Sequence, residues 1–255
     1  MTDERIANPA RYQALFLADL HLSPETPETT AAFLSFLSFE AIQAERLYIL
    51  GDLFEYWAGD DDMESPLNRQ VVDAIRRLSD GGVSVFWTPG NRDFLASDDF
   101  ASATGVTFLP DLEVIDFGGQ KIALAHGDEQ CLEDTDYLTF RAMVRNPLWQ
   151  KQFLSMPLAQ RKTIIENFRR DTTKENVAKP GYASFDLSAS AIKGVFEQTG
   201  ASVFIHGHTH TSGVHPHDEG VRFSLSDWNL DAPEKRGGWL ELWHDGSFVP
   251  RTLGS

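Results

Sequence analysis

Five short stretches of this 255-residue sequence carry side chains that can bind a metal ion, and each of them follows an apolar run. The stretches are FLADLHL, YILGDLF, GNRDF, ALAHGDE and FIHGHTH, with candidate ligands Asp19, His21, Asp52, Asn91, His126, His208 and His210. Carboxylate, amide and neutral imidazole groups suit divalent Mn, Fe, Co or Zn, and the absence of thiolates argues against a structural zinc site. The seven side chains therefore predict a catalytic metal site.

The number of ligands indicates two ions. Asp52 has two carboxylate oxygens and can therefore bind both ions. With this bridge, the seven ligands make eight coordination bonds. Two ions ~3.5–4 Å apart that share a water or hydroxide promote in-line displacement at phosphorus. Alternation along an extended strand would turn Asp19 and His21 to one side. The same alternation would bring His208 and His210 together.

The elements that must position these ligands alternate between strands and helices over the first 126 residues. Buried strands are predicted at 14–18, 46–50, 83–87 and 121–125, with helices at 29–42 and 66–79. This order predicts a sheet with helices on both faces, whose strand ends converge on a common crevice. Gly118 and Gly119 indicate an antiparallel hairpin. Further strands are predicted at 202–206, 221–228, 237–243 and 247–251.

A segment from about 132 to 200 interrupts this pattern with helical sequence and no predicted strand. Between Tyr137 and Lys179, nine Lys or Arg stand against three Asp or Glu, although the whole chain has a formal net charge of -16. Large apolar residues are also frequent there. Two interpretations are open: the segment binds a partner with anionic and apolar parts, or it is a helical subdomain with its own core and a solvated basic face.

Composition limits the possible classes of function. The net charge of -16 argues against a general nucleic-acid-binding protein. A single cysteine, Cys131, excludes an intramolecular disulfide framework, and we expect it to be a small buried residue. The first ten residues are too polar for a secretory signal, and no apolar run approaches the ~20 residues of a membrane span. We expect a cytoplasmic protein.

Taken in order, the five stretches resemble the signature of the calcineurin-like metallophosphoesterases: D-x-H, GD, GN, a histidine followed by glycine, and GHxH. The resemblance implies a four-layer α/β fold of two packed mixed β-sheets flanked by helices. It also implies a single domain, 1–255, with a helical lid insertion at about 132–200. Carried over to this sequence, it assigns one divalent ion to Asp19, His21, Asp52 and His210, and the other to Asp52, Asn91, His126 and His208.

The residue after the GN pair departs from that signature. Many members have a histidine at this position, where it donates a proton to the leaving group. Here it is Arg92. A guanidinium, with a pKa above ~12, is a poor proton donor but a good clamp for phosphate oxygens. An alkoxide leaving group needs a proton, whereas a phosphate, with a second pKa near ~6, does not. We predict a phosphoanhydride substrate; in the alternative, Arg92 only pairs with Asp93 to fix the turn.

Longer strings, among them LFEYWAGDDD, GNRDFL and HGDEQCLEDTDYLTFRAMVRNP, resemble the UDP-2,3-diacylglucosamine diphosphatase family from about residue 14 to the last strand. This resemblance implies hydrolysis at the α-phosphorus of the UDP-linked diacyl sugar, giving UMP and 2,3-diacylglucosamine 1-phosphate in lipid A biosynthesis. Two Mn²⁺ ions are the expected cofactors. The insertion would cover the acyl chains, and the protein would bind peripherally to the cytoplasmic face of the bacterial inner membrane.

The same resemblance implies roles for individual residues. Those expected to act in catalysis are Arg92, Asp52 and Asn91. Those expected to contact substrate are Asn91, Arg92, Asp134, Thr172, Asn176, Lys179 and His208. The acidic run Asp60, Asp61 and Asp62 is interpreted as a solvated turn near the site rather than a cation site. Two alternatives are a phosphoesterase acting on another nucleotide diphosphate or phosphodiester, and a metal-binding scaffold without catalysis, which a missing ligand would favour.

Overall fold

Six strands form the first of two mixed sheets in the computed structural model, which describes residues 11–178 and 186–253, with side chains for 11–170 and 186–253. Their spatial order is β11 (Phe248–Thr252), β10 (Gly238–Leu242), β1 (Tyr12–Leu17), β2 (Ala44–Leu50), β3 (Ser84–Thr88) and β4 (Thr107–Phe108). Strands β1 to β4 are parallel, and β10 is antiparallel to both of its neighbours. The parallel strands therefore end at one edge, where the first three ligand-bearing loops follow.

The second sheet has five strands. Their spatial order is β5 (Leu112–Phe117), β6 (Gln120–Ala125), β7 (Val203–His206), β9 (Val221–Ser224) and β8 (Gly213–Pro216). Strands β6, β7 and β9 are parallel, so the loops after β6 and β7 also open at one edge. The predicted hairpin is confirmed: β5 and β6 are antiparallel, and Gly118 and Gly119 turn between them with φ of 62° and 89°.

Helices cover both outer faces. On the first sheet lie α1 (Pro27–Phe39), α2 (Pro66–Asp80) and α3 (Asp98–Thr104), and α7 (Ala189–Thr199) packs on β6 and β7. A separate apolar cluster that includes Phe16, Leu124 and Ile205 fills the space between the sheets. The resulting order of helix, sheet, sheet and helix confirms the four-layer fold. Short 3-10 helices occupy Ala41–Gln43, Asp60–Asp62 and Asp128–Gln130.

Besides α7, the segment predicted as an insertion, about 132–200, contains α4 (Thr135–Val144), α5 (Pro147–Leu154) and α6 (Leu158–Ala178). Asn146 caps α5, because its side chain accepts hydrogen bonds from the backbone N–H groups of Leu148 and Trp149. Phe153 is buried in the cluster beneath the first sheet, and Trp149 packs against the same cluster. Through these two side chains, α5 extends the core beneath the first sheet.

The acidic run Asp60, Asp61 and Asp62 is only partly solvated: the side chain of Asp61 is 57% exposed, whereas Asp62 is buried. Asp60 accepts hydrogen bonds from the backbone N–H groups of Ser97 (3.3 Å) and Phe100 (3.0 Å), at the start of α3. Asp61 pairs with the buried Arg161. Asp62 Oδ1 lies 2.6 Å from Lys162 Nζ. Each carboxylate thus holds another element, and two of the three partners are basic residues of α6. The solvated-turn interpretation missed these partners because they lie far away in sequence.

Other expectations have mixed outcomes. Cys131 is buried as expected, and burial, followed by the charge of Asp128, raises the pKa of its thiol to about 12. Strand β9 ends at Ser224, four residues earlier than predicted, and neither α3 nor β4 was predicted. Within the described ranges, no helix is both long enough and apolar enough to span a bilayer.

Candidate metal centre

The loops that carry the ligands turn through left-handed backbone conformations. Strand β1 ends two residues before Asp19, so the strand alternation proposed for Asp19 and His21 does not operate. Instead, these residues have φ of 54° and 49°. In the described part of the chain, the non-glycine residues with positive φ are Asp19, His21, Asp52, His208 and His210. A left-handed L-residue costs about 1–2 kcal/mol, so strain is concentrated at five predicted ligands, as is typical of functional sites.

The first group of ligand atoms comes from Asp19, His21 and His210. The Nε2 atoms of His21 and His210 lie 3.1 Å apart. Asp19 Oδ1 is 3.6 Å from Nε2 of His210 and 3.9 Å from Nε2 of His21. This oxygen is buried and has no hydrogen-bond partner among the described residues. A buried, unpartnered carboxylate oxygen that faces two imidazole nitrogens fits a bound cation.

The second group comes from Asp52, Asn91, His126 and His208. His126 Nε2 lies 2.9 Å from Asn91 Oδ1 and 3.7 Å from Asp52 Oδ2. Asn91 Oδ1 is also 3.1 Å from His208 Nδ1. On the other side of its ring, His126 Nδ1 donates to the carbonyl of Leu50 at 2.9 Å. That bond orients the ring so that Nε2 faces the group.

Asp19 links the two groups. One atom each from Asp19, Asp52 and His126 lie within 4.8 Å of one another, and Asp19 is also part of the first group. Asp19 Oδ2 accepts a hydrogen bond from the backbone N–H of His208 at 2.8 Å. The structure thus brings all seven predicted ligands together. The division into two ions, and the bridging role of Asp52, stay predictions.

The buried charges shift the pKa values of several of these groups. Burial raises the pKa of Asp19, but the neighbouring His210 and the charge of His126 outweigh burial and hold it well below its usual range. Burial lowers the pKa of His208 to about 4, which leaves a neutral ring at pH 7.

His126 shifts in the opposite direction. Burial lowers its pKa, yet the carboxylates of Asp52 and Asp19 raise it to about 9. Without a metal the ring therefore carries a proton on Nε2, and a divalent ion would take the place of that proton.

Asp93 joins the two loops that carry Asp52 and Asn91. Its carboxylate is fully buried and accepts hydrogen bonds from the backbone N–H groups of Leu53 (2.7 Å), Phe54 (3.3 Å) and Gly90 (2.7 Å). Burial, then the charge of Asp52, raises the pKa of Asp93 to about 7, while the Gly90 amide acts in the opposite direction. The sequence placed Asp93 beside the site but did not indicate these partners.

Arg92 is not held by Asp93, so the alternative in which the two residues only pair to fix the turn is wrong. The backbone N–H of Arg92 donates to Asp52 Oδ1 at 2.8 Å. The side chain of Arg92 is 38% exposed, and Nε lies 4.0 Å from Asp52 Oδ2. Nε has no hydrogen-bond partner in the described part of the chain. The guanidinium therefore lies at the edge of the metal centre, where it can bind another anion.

The other predicted substrate contacts have different surroundings. Asp134 caps α4 by accepting a hydrogen bond from the backbone N–H of Tyr137 at 3.1 Å. The side chains of Thr172 and Asn176, and the whole of Lys179, lie outside the described residues.

Arg141 of α4 and Arg145, the residue just after α4, tie the insertion to the ligand loops, a role that the sequence did not reveal. Arg141 Nε donates to the buried Asp128 at 2.9 Å, and Asp128 follows His126 by two residues. Arg145 Nη2 donates to the backbone carbonyl of Gly90 at 3.0 Å. The HGD string and the basic pattern of α4 were the available signals, but neither indicates its partner.

Comparisons with known proteins agree with this geometry. A family model described as calcineurin-like phosphoesterase matches residues 12–212. A protein of Aromatoleum aromaticum named UDP-2,3-diacylglucosamine hydrolase is 44% identical over 246 residues, covering 94% of this chain and 96% of that protein. A protein of the same name from Yersinia enterocolitica is 47% identical over 201 residues, covering 79% of this chain and 83% of that protein. The chain therefore belongs to the calcineurin-like phosphoesterase family and, within it, to the family of these hydrolases.

Proposed function

We propose that this chain hydrolyses the diphosphate of UDP-2,3-diacylglucosamine at the α-phosphorus, giving UMP and 2,3-diacylglucosamine 1-phosphate in lipid A biosynthesis. One observation carries the proposal: Nε of Arg92 lies 4.0 Å from Oδ2 of Asp52, beside the candidate metal centre. Arg92 stands where many members of the family have a proton-donating histidine. The names of relatives that are 44% and 47% identical support the choice of substrate.

The donor set fits divalent metal ions, since its oxygen and imidazole ligands suit Mn, Fe, Co and Zn. We propose that two ions bind, one at Asp19, His21, Asp52 and His210, the other at Asp52, Asn91, His126 and His208. Mn²⁺ is the proposed metal. Bound ions would supply a hydroxide nucleophile at neutral pH and would neutralise charge at phosphorus.

The protein's own residues would then orient the diphosphate and stabilise its charge. Arg92 can donate two parallel hydrogen bonds to phosphate oxygens. Asn91 and His208, which lie 3.1 Å apart (Oδ1 to Nδ1), are the other proposed substrate contacts of the centre. The bond that breaks joins the α-phosphorus to the oxygen shared with the sugar phosphate. Its electron pair stays on that oxygen, and the departing phosphate needs no proton from Arg92.

We propose that the insertion binds the acyl chains and an anionic membrane surface as a peripheral lid on a single domain. Exposed large apolar side chains on α4 to α6, among the described side chains, are Met143 (49%), Leu148 (72%), Leu154 (36%), Ile164 (40%) and Phe168 (50%). The basic residues Arg161, Lys162 and Arg169 pair with acids of the α/β body, so they contribute less to headgroup binding than their number suggests. Apolar contacts therefore provide most of the proposed lipid affinity.

The decisive experiment measures UMP release from UDP-2,3-diacylglucosamine in detergent micelles by the purified protein with Mn²⁺. We expect UMP release that EDTA abolishes, and much slower turnover of water-soluble UDP-N-acetylglucosamine. Absence of UMP release alongside rapid hydrolysis of another diphosphate would overturn the substrate assignment. Equal turnover of the two UDP-sugars would overturn acyl recognition.

A second experiment tests the role of Arg92. We expect Arg92→His to lose activity on the diphosphate selectively, compared with its activity on a phosphodiester of an alcohol, since histidine can protonate an alkoxide but clamps phosphate less well. Equal losses on the two substrates would refute the argument that Arg92 selects an anhydride.

A further inference from the structure

Glu55 occupies a fixed position between the loops that follow β1 and β2. The two loops form an isolated parallel bridge between Leu22 and Phe54. The backbone N–H of Leu22 donates to the carbonyl of Leu53 at 3.0 Å, and the N–H of Glu55 donates to the carbonyl of Leu22 at 3.1 Å. This pairing brings the side chain of Glu55 beside His21.

One carboxylate oxygen of Glu55 faces His21. Oε2 lies 3.0 Å from His21 Nδ1, and the side chains are 24% and 16% exposed, so water screens the pair only partly. The Nδ1 proton is not aligned with this oxygen, and Nδ1 has no hydrogen-bond partner elsewhere in the described residues. The contact is therefore an electrostatic one, between the Glu55 carboxylate and the Nδ1 side of the His21 ring.

The other carboxylate oxygen of Glu55 pairs with α6. Oε1 contacts Arg169 Nη2, and the Arg169 guanidinium lies over the ring of Tyr56, 5.9 Å from its centroid. Asp61 and Asp62 also hold α6, through Arg161 and Lys162. Of these three acids, Glu55 is the one in contact with a candidate metal ligand. It therefore links the insertion to the metal centre.

We propose that Glu55 is a positioning residue that couples the docking of α6 to the orientation of His21 for metal binding. The inference rests on the metal site proposed above. Arg169 fixes one oxygen of Glu55, and the negative charge of the other oxygen, 3.0 Å from Nδ1, favours the His21 tautomer whose proton is on Nδ1. The Nε2 atom is then left to face Asp19 and His210. Carboxylates that hold the far nitrogen of a ligating histidine set its tautomer and its ring direction.

The test measures Mn²⁺ affinity by calorimetric titration of the full-length, metal-free protein without substrate. We expect Glu55→Gln to weaken Mn²⁺ binding about 10–100-fold. Arg169→Met should also weaken it several-fold. Removing a positive charge near a cation site would by itself tighten binding, and the Arg169 guanidinium is within electrostatic reach of Asp52. Weaker binding therefore reports lost positioning. In the Glu55→Gln background, Arg169→Met should cause no further weakening.

The matched control is Asp61→Asn, which breaks another ion pair to α6 but does not touch His21; we expect wild-type Mn²⁺ affinity. Thermal unfolding monitored by circular dichroism checks that every variant folds. The proposal is overturned if Arg169→Met binds Mn²⁺ as tightly as wild type or tighter, or if its effect persists in the Glu55→Gln background. Because substrate is absent, failure of the coupling is distinguishable from failure of UMP release.

Discussion

Asp93→Asn is the substitution that best tests how the metal centre is built. The fully buried carboxylate of Asp93 receives three backbone N–H groups, from Leu53, Phe54 and Gly90. Asparagine has one amide oxygen to accept them and an NH₂ group that cannot. If the oxygen stays with Leu53 and Phe54, the NH₂ group faces the N–H of Gly90, and two buried donors lose their partners.

The expected loss of stability follows from those two donors. Each buried unsatisfied donor costs about 1–3 kcal/mol. Part of this is offset because a neutral amide is easier to bury than a carboxylate whose pKa burial raises to about 7. We expect the free energy of unfolding to fall by roughly 2–4 kcal/mol, which lowers Tm by roughly 5–15 °C for a domain of this size. The Asp52 and Asn91 loops would also separate, which would weaken metal binding.

The assay is thermal unfolding of the metal-free protein, followed by Mn²⁺ titration below the transition. Asp99→Asn is the matched control, because it makes the same chemical change at an exposed acid in the first turn of α3. We expect the control to change stability by less than about 1 kcal/mol. If Asp93→Asn and Asp99→Asn have the same Tm and the same Mn²⁺ affinity, Asp93 does not join the two loops.

Three further results are expected. Gly90→Ala would place a Cβ 2.6 Å from the backbone N of Asp52 and should destabilise the fold by about 1–3 kcal/mol. Gly194→Ala, whose Cβ would have its nearest neighbour 3.8 Å away, should not destabilise it. Equal melting temperatures of the two variants would contradict this. Cys131, with its pKa raised to about 12, should resist a thiol reagent at pH 8 in the native protein and should react once the protein is unfolded in guanidinium. Rapid labelling of the native protein would contradict the burial of Cys131. Arg161→Met should lower the free energy of unfolding by about 2–4 kcal/mol in urea titrations, because the carbonyls of Met156 and of the buried Ala58 lose their donor. A change below about 0.5 kcal/mol would refute that role.

Much of the fold was predictable because its signals are local. Apolar runs bounded by turn residues predicted the central strands, and Gly118 and Gly119 predicted a hairpin whose turn requires positive φ. Helix α2 begins at Pro66, just after Ser65, and ends just before Gly81, as the start and stop signals predicted. Helix α3 has seven residues, and its first backbone N–H groups depend on Asp60, far away in sequence, so no local signal was sufficient.

The candidate ligands were predictable for a different reason: their chemistry is carried by residue type. Asp19, His21 and the other five ligands follow buried strands, and parallel strands deliver such residues to one edge. The way in which they converge was predicted wrongly. Left-handed turns at Asp19 and His208, rather than strand alternation, direct the side chains inward. Such conformations are strained, and the surrounding structure holds them.

The sequence by itself determined the candidate ligands, the order of the layers and the departure at Arg92, because side-chain chemistry and hydrophobic period are properties of short segments. The tertiary structure alone decided which carboxylates face the centre and which hold the backbone. Asp52 is a candidate ligand, whereas Asp93 binds three amides, and Glu55 lies between His21 and α6. These acids look alike in sequence, and their roles differ because folding gives each of them different partners and a different degree of burial.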